Sequence, residues 1–391
     1  MHPRRAAPPR EAIQLLALAG FNAGISHRCV EPMLPELARE FGTSVSAASV
    51  VMTTYAFAYA ASLLILGPLG DKLGKLRVVT VGMALAGLAS LGCAAAWDVG
   101  SLAAMRLATG LFASASVALG MAYIGDVVPI EERQTTIAHF IAGSILGQAV
   151  GPLVGGAFTD WVGWRASFVL LGAIFVAVSA ILYGRTAAGW AAPAAARLRP
   201  FTVYRDLWSL APMRWLLAVS LVETFFFFGA YAFLGAFLRL RFELSFTVIG
   251  LILAGFGVGG LLYSSSARVL VRRLGERGLT LGGGLLGGAM LAAIVWAPHP
   301  GLIAGCTVAL GFAFYLVHNT VQTRATEVAP HARGSAVALY ATGWALGQAL
   351  GIAAIGLAVA AVGYAPAILA CGLAFAALGA WLRGNLYRLK P

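Results

Sequence analysis

Charged residues are scarce in this chain of 391 residues: 11% are Asp, Glu, Lys or Arg, whereas 60% are hydrophobic. A soluble globular protein has about 25% charged residues, which form its water-facing surface. The scarcity therefore excludes a soluble enzyme, a disordered protein and a secreted module. A mean hydropathy of +0.85 over the whole length cannot come from one anchor helix, so it indicates a membrane protein with many spans.

Cysteine and lysine are also rare. The four cysteines lie far apart in apolar segments and form no Cys-x-x-Cys pair, so the sequence contains no metal or redox motif and we expect no cofactor. The three lysines lie outside the apolar segments, which excludes a retinal Schiff base. A Walker A motif is absent too, so ATP does not drive the protein through a P-loop of its own.

Twelve apolar segments are each long enough to cross a bilayer, for which a helix needs about 20 residues. Their continuous apolarity favours helices over barrel strands, which alternate polar and apolar residues. We predict an all-α integral membrane protein whose transmembrane helices lie near 12–36, 46–67, 77–97, 100–124, 135–158, 165–184, 213–238, 246–267, 279–297, 301–323, 335–360 and 363–383.

The basic residues predict the orientation of these spans. If the N-terminus is in the cytoplasm, most of the 27 Lys and Arg fall in cytoplasmic segments, as the positive-inside rule requires. The net charge of +12 is then a topology signal, so we expect no nucleic-acid partner. The excess of Arg over Lys hints at a bacterial gene. We predict a multi-pass protein of the bacterial inner (cytoplasmic) membrane with both termini in the cytoplasm.

The spans divide into two equal groups at the longest polar interruption, 185–212. We predict an N-terminal six-helix bundle over 1–184, a cytoplasmic central loop over 185–212, and a C-terminal six-helix bundle over 213–391. An internal repeat supports this division, because Gly143-Ser-Ile-Leu-Gly-Gln-Ala-Val-Gly151 recurs 200 residues later as Gly343-Trp-Ala-Leu-Gly-Gln-Ala-Leu-Gly351. Duplicated bundles are typical of transporters, with a binding site near the midplane between them.

The segment after the second span resembles the Gly-x-x-x-Asp-Arg-x-Gly-Arg signature of the major facilitator superfamily. Its matching residues are Gly67, Asp71, Lys72, Gly74 and Lys75, with Lys at both Arg positions. The resemblance implies the two-bundle fold of that superfamily and a loop that latches the bundles together on the cytoplasmic side. The alternative is an ordinary positive-inside loop.

The fifth span resembles the Gly-x-x-x-Gly-Pro-x-x-Gly-Gly motif of the twelve-span drug:proton antiporters. The matching residues are Gly147, Gly151, Pro152, Gly155 and Gly156. Glycines at every fourth position allow close helix contact, and a proline removes one backbone hydrogen bond and bends the helix. The resemblance implies proton-coupled efflux, whereas helix packing alone is the alternative.

Ionisable and strongly polar side chains inside the spans concentrate on spans one, four, seven and ten. In the superfamily that the motifs resemble, these four helices line the central cavity. The candidates for substrate or proton binding are Asn22, Arg28, Glu31, Arg106, Glu223, Phe227, Tyr231, His318 and Asn319. Arg106 and Glu31 lie at similar depth, in the outer third of their spans, so we expect them to pair, with Arg28 close by.

Glu223 approaches the midplane of the seventh span, and no basic residue accompanies it in that span. Burial there suits the carboxyl group to carrying a proton. Four phenylalanines at positions 225–228 and Tyr231 follow it. Aromatic rings beside a carboxylate suit a lipophilic, cationic substrate, although some of these rings must face lipid.

These patterns predict a monomeric secondary transporter that exchanges small lipophilic compounds for protons by alternating access. Either Glu31 or Glu223 would carry the proton. The alternative is a symporter or uniporter for a small metabolite or organic anion, with Arg28 and Arg106 as anchors. An intramembrane enzyme is a different class, but neither a Gly-x-Ser-x-Gly elbow nor a His-x-x-x-His pair occurs.

Overall fold

The computed structural model describes residues 9–187, 190, 200–329 and 332–389. The predicted central loop, 185–212, lies partly outside these residues, and so do several of the basic residues used for orientation: Arg4, Arg5, Arg197, Arg199 and Lys390. Throughout the described part of the chain, the regular structure is helical, as predicted.

The first half contains eight described helices. They are α1 (Pro9–Arg28), α2 (Val30–Glu40), α3 (Val45–Ala48), α4 (Val50–Leu73), α5 (Lys75–Ala94), α6 (Val99–Val127), α7 (Ile130–Trp161) and α8 (Trp164–Thr186). The second half is preceded by α9 (Pro200–Ser209). It contains α10 (Ala211–Tyr231), α11 (Leu234–Phe242), α12 (Phe246–Trp296), α13 (Pro300–Glu327), α14 (Arg333–Val362) and α15 (Tyr364–Asn385), and ends in a short 3-10 helix (Leu386–Leu389).

These helices form twelve crossings. Ten of the described helical segments are long and apolar enough to span a membrane. One of them, α12, has 51 residues and is broken at Gly275 (φ 61°, ψ 174°), so it supplies both the eighth and the ninth crossing. Together, α1 and α2 supply the first crossing, which is interrupted at Cys29 and carries more charge.

Successive crossings run in opposite directions, so the bundle has two ends. We call the end where α1 begins and α15 ends the termini face; the ion pairs Arg185–Glu11 and Arg324–Glu276 lie there. We call the other end the distal face; it carries Glu40 at the end of α2 and Asp98 before α6.

The repeat seen in the sequence is also present in the packing. In the first half α7 lies against α1, and in the second half α14 lies against α10. A Cβ atom placed on Gly147 would lie 2.0 Å from the Phe21 carbonyl oxygen, and one on Gly347 would lie 2.3 Å from that of Leu221. Equivalent glycines therefore bring equivalent helix pairs into backbone contact.

The two halves meet through the same helices. α7 packs on α12 of the second half, and α14 packs on α4 of the first. Beyond the midplane, Ser46 Oγ donates to the Gly356 carbonyl oxygen at 2.6 Å, and a Cβ atom on Gly235 would lie 2.7 Å from the Glu31 carbonyl oxygen. The halves are therefore closed against each other at the distal face.

Several helices extend beyond the predicted spans. The second span, predicted to end at residue 67, continues to Leu73, so most of the predicted loop Gly67–Lys75 is the last two turns of α4. Gly74 alone makes the turn, with φ 90°, a left-handed conformation that glycine adopts without strain. Hydropathy could not locate this end, because a helix continues into the interfacial region where polar residues are tolerated.

Candidate functional site

Two prolines shape the first crossing. Pro32 has no N–H, so the carbonyl of Arg28 loses its helical partner, and the helix breaks at Cys29 between α1 and α2. Pro35 lies inside α2 and does the same to the carbonyl of Glu31. Arg28 and Glu31 thus flank a one-residue interruption in the protein interior, at which the Cys29 backbone keeps helical angles (φ −65°, ψ −22°).

Arg28 and Glu31 form a buried ion pair. Arg28 Nε lies 2.6 Å from Glu31 Oε1, and the two side chains are 2% and 5% exposed. The guanidinium carbon of Arg28 also lies above three aromatic rings of the second half: 4.8 Å from the Phe228 centroid, 4.6 Å from Tyr231 and 5.3 Å from Phe256. A charged group of one half is thus held by the aromatic rings of the other, a cation–π arrangement.

Arg106 does not pair with Glu31, so that prediction is wrong. Arg106 is fully buried; its Nη1 donates to Ser26 Oγ at 3.1 Å, and its guanidinium carbon lies 4.0 Å from the centroid of the Tyr55 ring. Its Nε and Nη2 have no hydrogen-bond partner among the described residues. A buried guanidinium with free donors is suited to receiving an anionic or polar group.

The second half contains its own buried polar cluster. Glu223 is fully buried, and its Oε2 lies 3.4 Å from His318 Nδ1, which also lies 3.4 Å from the Tyr340 hydroxyl. Glu223 Oε1 has no partner in the described part of the chain. The His318 ring is stacked on Phe314 with centroids 4.9 Å apart. The cluster therefore offers one free carboxylate oxygen beside a titratable ring.

Two residues that the sequence analysis missed connect the halves at the midplane. Gln348 Oε1 accepts a hydrogen bond from His27 Nε2 at 3.0 Å, which joins α14 to α1. The Trp344 ring lies between two histidines, with centroids 6.0 Å from His27 and 6.5 Å from His318. The indole N–H of Trp344 has no partner among the residues described. A chain of rings thus extends from the first half to Glu223.

The glycine stripe of α7 allows contact on two sides. Cβ atoms on Gly151 and Gly155 would lie 3.0 Å and 1.9 Å from the carbonyl oxygens of Ile25 and Cys29, in the first crossing. Pro152 lies on the other side, where a Cβ on Gly250 of α12 would lie 2.3 Å from the Pro152 carbonyl oxygen. The stripe therefore packs within its own half and also against the other half.

Asp160, near the end of α7, extends the contact between α7 and α12 to the distal face. Its Oδ1 accepts a hydrogen bond from the backbone N–H of Phe246 at 3.1 Å, and its Oδ2 accepts from the N–H and the hydroxyl of Thr247, both at 2.6 Å. These N–H groups begin α12, so a carboxylate of the first half caps a helix of the second. Sequence reasoning missed Asp160, although the start of α12 and an acidic residue at the same end were both visible.

The predicted gating segment lies at the termini face. Asp71 and Lys72 are exposed, whereas Lys75 is half-buried and forms an ion pair with Asp126. Lys75 Nζ also lies 3.8 Å from Asp71 Oδ1. Both carboxylates belong to the first half, so these ion pairs do not join the halves at this face in the way that the resemblance implied.

Three predicted cavity residues lie elsewhere. Asn22 donates to the Leu171 carbonyl oxygen of α8 at 3.0 Å, within the first half. Phe227 packs in the interior of the second half, 4.6 Å from Phe314 between ring centroids. Asn319 lies beside the Tyr263 hydroxyl, facing α12. Neighbouring residues of a helix point about 100° apart, so placement on a lining helix does not by itself aim a side chain at the cavity.

Comparison with known proteins decides the family. The sequence model of the Major Facilitator Superfamily matches residues 16–352, and a second match covers 237–389. The chain belongs to the Major Facilitator Superfamily. The chain is therefore a membrane transporter by family, and the two-bundle fold expected from the motifs is confirmed.

Relatives of this Major Facilitator Superfamily chain include proteins named for membrane transport and for chloramphenicol resistance. The Inner membrane transport protein YnfM of Escherichia coli is 30% identical over 43% of this chain and 41% of its own length. A Chloramphenicol resistance protein of Pseudomonas aeruginosa is 34% identical over 38% of this chain and 36% of its own. The matched segment thus spans less than half of these curated relatives.

A longer match and a solved structure agree with the family. The protein of Bacillus subtilis named "Uncharacterized MFS-type transporter YceJ" is 25% identical over 82% of both chains. The crystal structure of a bacterial homologue of the human lysosomal transporter Spinster, in an inward-facing, unoccupied conformation, superimposes with a TM-score of 0.72. It covers 97% of this chain and 94% of the other at 17% identity, which shows the shared fold.

Proposed function

We propose that this transporter is a proton-coupled exporter that expels small lipophilic cations in antiport with protons. The observation that carries the proposal is the buried Arg28–Glu31 ion pair, held beneath aromatic rings of the opposite half. Such a site binds a positive charge through both its carboxylate and its rings. Proton and cation would then compete for the same ionised Glu31.

The cycle follows from this competition. With the distal face open, a proton neutralises Glu31, so the cation leaves and Arg28 returns to the rings. With the termini face open, Glu31 loses its proton, and a lipophilic cation enters against Phe228 and Tyr231. In that step the cation would displace Arg28 from the rings. A one-for-one exchange of a monovalent cation for a proton moves no net charge, so the pH gradient would drive it. Each further proton carried per cycle would add about 2.3 kcal/mol per 100 mV of membrane potential.

Glu223 is the second candidate for proton binding. It lies in the opposite half, and its free oxygen and its neighbour His318 provide a place for a proton. His27 and Trp344 connect it towards Arg28 and Glu31. In the proposed cycle, a proton on the Glu223–His318 pair removes a buried charge from the second half before the halves separate. Residues Gly67–Lys75 would meet the second half when the distal face opens.

Proteoliposomes test the coupling. Purified protein is reconstituted, a pH gradient is imposed, and the flux of tetraphenylphosphonium is followed with an ion-selective electrode. We expect Glu31→Gln to abolish proton-driven flux and Glu223→Gln to reduce it, whereas Glu132→Gln, an exposed carboxylate at the termini face, leaves it unchanged. Full proton-driven transport by a variant carrying both Glu31→Gln and Glu223→Gln would contradict the proposal.

An importer of a small organic anion is the second candidate function. It is favoured by the free donors of Arg106, which lack a carboxylate partner among the described residues. The direction of flux separates the two functions. Accumulation of an organic anion in right-side-out vesicles under an inward proton gradient, lost in Arg106→Gln, would favour import.

We also propose that the chain is a monomer in the bacterial inner membrane, built as bundles 1–184 and 213–391 with both termini in the cytoplasm. Cysteine labelling tests the orientation. Trp97 and Tyr387 are exposed at the distal and termini faces respectively. A membrane-impermeant maleimide should modify Trp97→Cys in intact cells and Tyr387→Cys only after lysis. The reverse pattern would invert the proposed topology.

A further inference from the structure

A pocket of about 680 Å³ opens at the termini face between α12 and α15. It lies just after the Gly275 break, where the ninth crossing begins and the twelfth ends. Arg277 and Arg383 line it, together with apolar and small residues. It belongs to the second half alone and lies on the outside of the bundle, away from Arg28 and Glu223.

Arg277 and Arg383 have no acidic partner among the described residues. Both are exposed, and neither forms an ion pair with any carboxylate that the structure describes. Nearby Arg324, by contrast, is paired with both Glu276 and Glu327. Arg383 lies in the last turn of α15, whose dipole favours a cation there. The pocket therefore has a positive charge that is available to an anion from outside.

Small residues create the space beside these charges. α12 and α15 touch at Gly284 and Gly379, where a Cβ atom on Gly284 would lie 2.7 Å from the Gly379 Cα. Towards the termini face, Gly278 and Gly384 line the pocket, and a Cβ on Gly384 would meet nothing within 4 Å. The small residues therefore leave room that larger side chains would fill.

Above the arginines the groove becomes apolar. Leu281 lines the pocket, and Leu285 and Leu373 lie further along the same two helices, 53% and 73% exposed. In a protein of this family such exposed leucines face acyl chains. Positive charge at the level of the headgroups, with leucines at the level of the chains, matches an amphiphile with an anionic head.

We propose that this pocket binds an anionic glycerophospholipid from the leaflet at the termini face. The two guanidinium groups would hold its phosphate through charge-assisted hydrogen bonds, and the acyl chains would lie along Leu281 and Leu285. The site would tether the second half to the bilayer. This inference needs a membrane-embedded chain but neither the transported substrate nor proton coupling.

Native mass spectrometry of the full chain tests the proposal. Protein is reconstituted with equal amounts of phosphatidylglycerol and phosphatidylcholine, extracted in mild detergent, and scored for retained lipid. We expect phosphatidylglycerol to be retained selectively. Retention should fall about fivefold in Arg277→Gln or Arg383→Gln and about 30-fold in the double variant. Elution as a single species on size exclusion confirms that each variant is folded.

Two further variants separate charge, shape and general basicity. Gly384→Leu keeps both arginines but fills the pocket, so it should also lose the lipid. A variant with Arg272→Gln and Arg273→Gln removes two exposed charges from the same face outside the pocket, so it should retain the lipid. If this control loses lipid as strongly as the double pocket variant, or if Gly384→Leu retains it, the proposal is wrong.

Inorganic phosphate distinguishes the sources of the anion. We expect 10-fold excess phosphate to leave the lipid in place, because phosphate lacks acyl chains to occupy the apolar part of the groove. Complete displacement by phosphate would assign the pocket to a free anion. Equal retention of both lipids by the unmodified protein would show that it binds no anion selectively. Either result would overturn the proposal.

Discussion

Arg28 of the first half lies 4.6 Å from the centre of the Tyr231 ring in the second half. The same guanidinium is paired with Glu31, so one side chain is held by a carboxylate of its own half and by rings of the other. Any motion that separates the halves must break the contact between Arg28 and the rings. Any proton that binds Glu31 weakens its ion pair with Arg28. The ionisation of one carboxyl group is thereby connected to the position of the halves.

The aromatic rings around Arg28 should contribute directly to substrate affinity. Phe228→Leu removes one ring that faces the charge, so binding of tetraphenylphosphonium should weaken about fivefold to 30-fold, the worth of a partly or fully desolvated cation–π contact. Tryptophan fluorescence titration measures the affinity. Phe226→Leu is the matched control, because Phe226 contacts Phe225, with ring centroids 5.0 Å apart. An equal loss in both variants would assign the effect to general packing.

Asp160→Ala should favour opening of the distal face. The change removes the carboxylate that caps α12, at a cost of about 1 kcal/mol, and so shifts the balance between distal-closed and distal-open forms about fivefold. Maleimide labelling of a cysteine placed near the distal seam measures the shift. Asp98→Ala removes the cap of α6 within the first half, so it should leave the labelling unchanged. Faster labelling in both variants would refute a specific role for Asp160.

The stability of the distal face should depend on pH through Glu40. Burial opposes ionisation of this carboxyl group, but hydrogen bonds from Trp164 Nε1 and Arg165 outweigh it and lower its pKa below the ordinary value of 4.5. A lowered pKa stabilises the fold at a pH above the ordinary value. That stabilisation is lost as the pH falls through the lowered pKa.

Thermal unfolding in detergent tests the direction of this pKa shift. Glu40→Gln should unfold at a lower temperature than the unmodified protein at pH 7, and the difference should shrink as the pH is lowered below 4.5. A difference that grows on acidification would mean that the pKa is raised. Glu243→Gln, at the same face, tests whether any acidic residue there behaves alike.

Gly155→Ala should destabilise the first half. The added methyl would lie 1.9 Å from the Cys29 carbonyl oxygen, so α7 and the first crossing must separate, at a cost of about 1–3 kcal/mol. Gly184→Ala places the same methyl in open space on α8 and should be neutral or slightly stabilising. Unfolding temperatures of the two variants provide the comparison; equal temperatures would show that the close contact is unimportant.

The fold could be predicted because it depends on hydropathy and on a repeat, both of which are properties of the sequence alone. The stripe of glycines on α7 and its copy on α14 already identified two equivalent helices. Gln348 could have been found by the same means, because it occupies the position of Gln148 in the repeat. A polar side chain such as Gln348 within an apolar helix could have been recognised as a candidate contact.

The contacts within the site could not be predicted in the same way. Depth along a helix placed Glu31 and Arg106 at one level, but the direction of a side chain depends on packing. Arg106 is held by Ser26 and Tyr55, and Glu31 is paired with Arg28 only three residues away. Phe228 rather than Phe227 faces the guanidinium for the same reason. Trp344 lies between the halves without any charge or motif to mark it.

The duplicated packing of α7 on α12 and of α14 on α4 constrains how the molecule can move. Each contact joins one half to the other, and the two are related by the internal repeat. If the halves pivoted on only one of these contacts, the molecule would open along a single edge. Two equivalent contacts instead favour a rocking of one half on the other in which both contacts are kept. The centre of the protein would then turn while it barely translates, so a bound cargo exchanges its exit without changing its place.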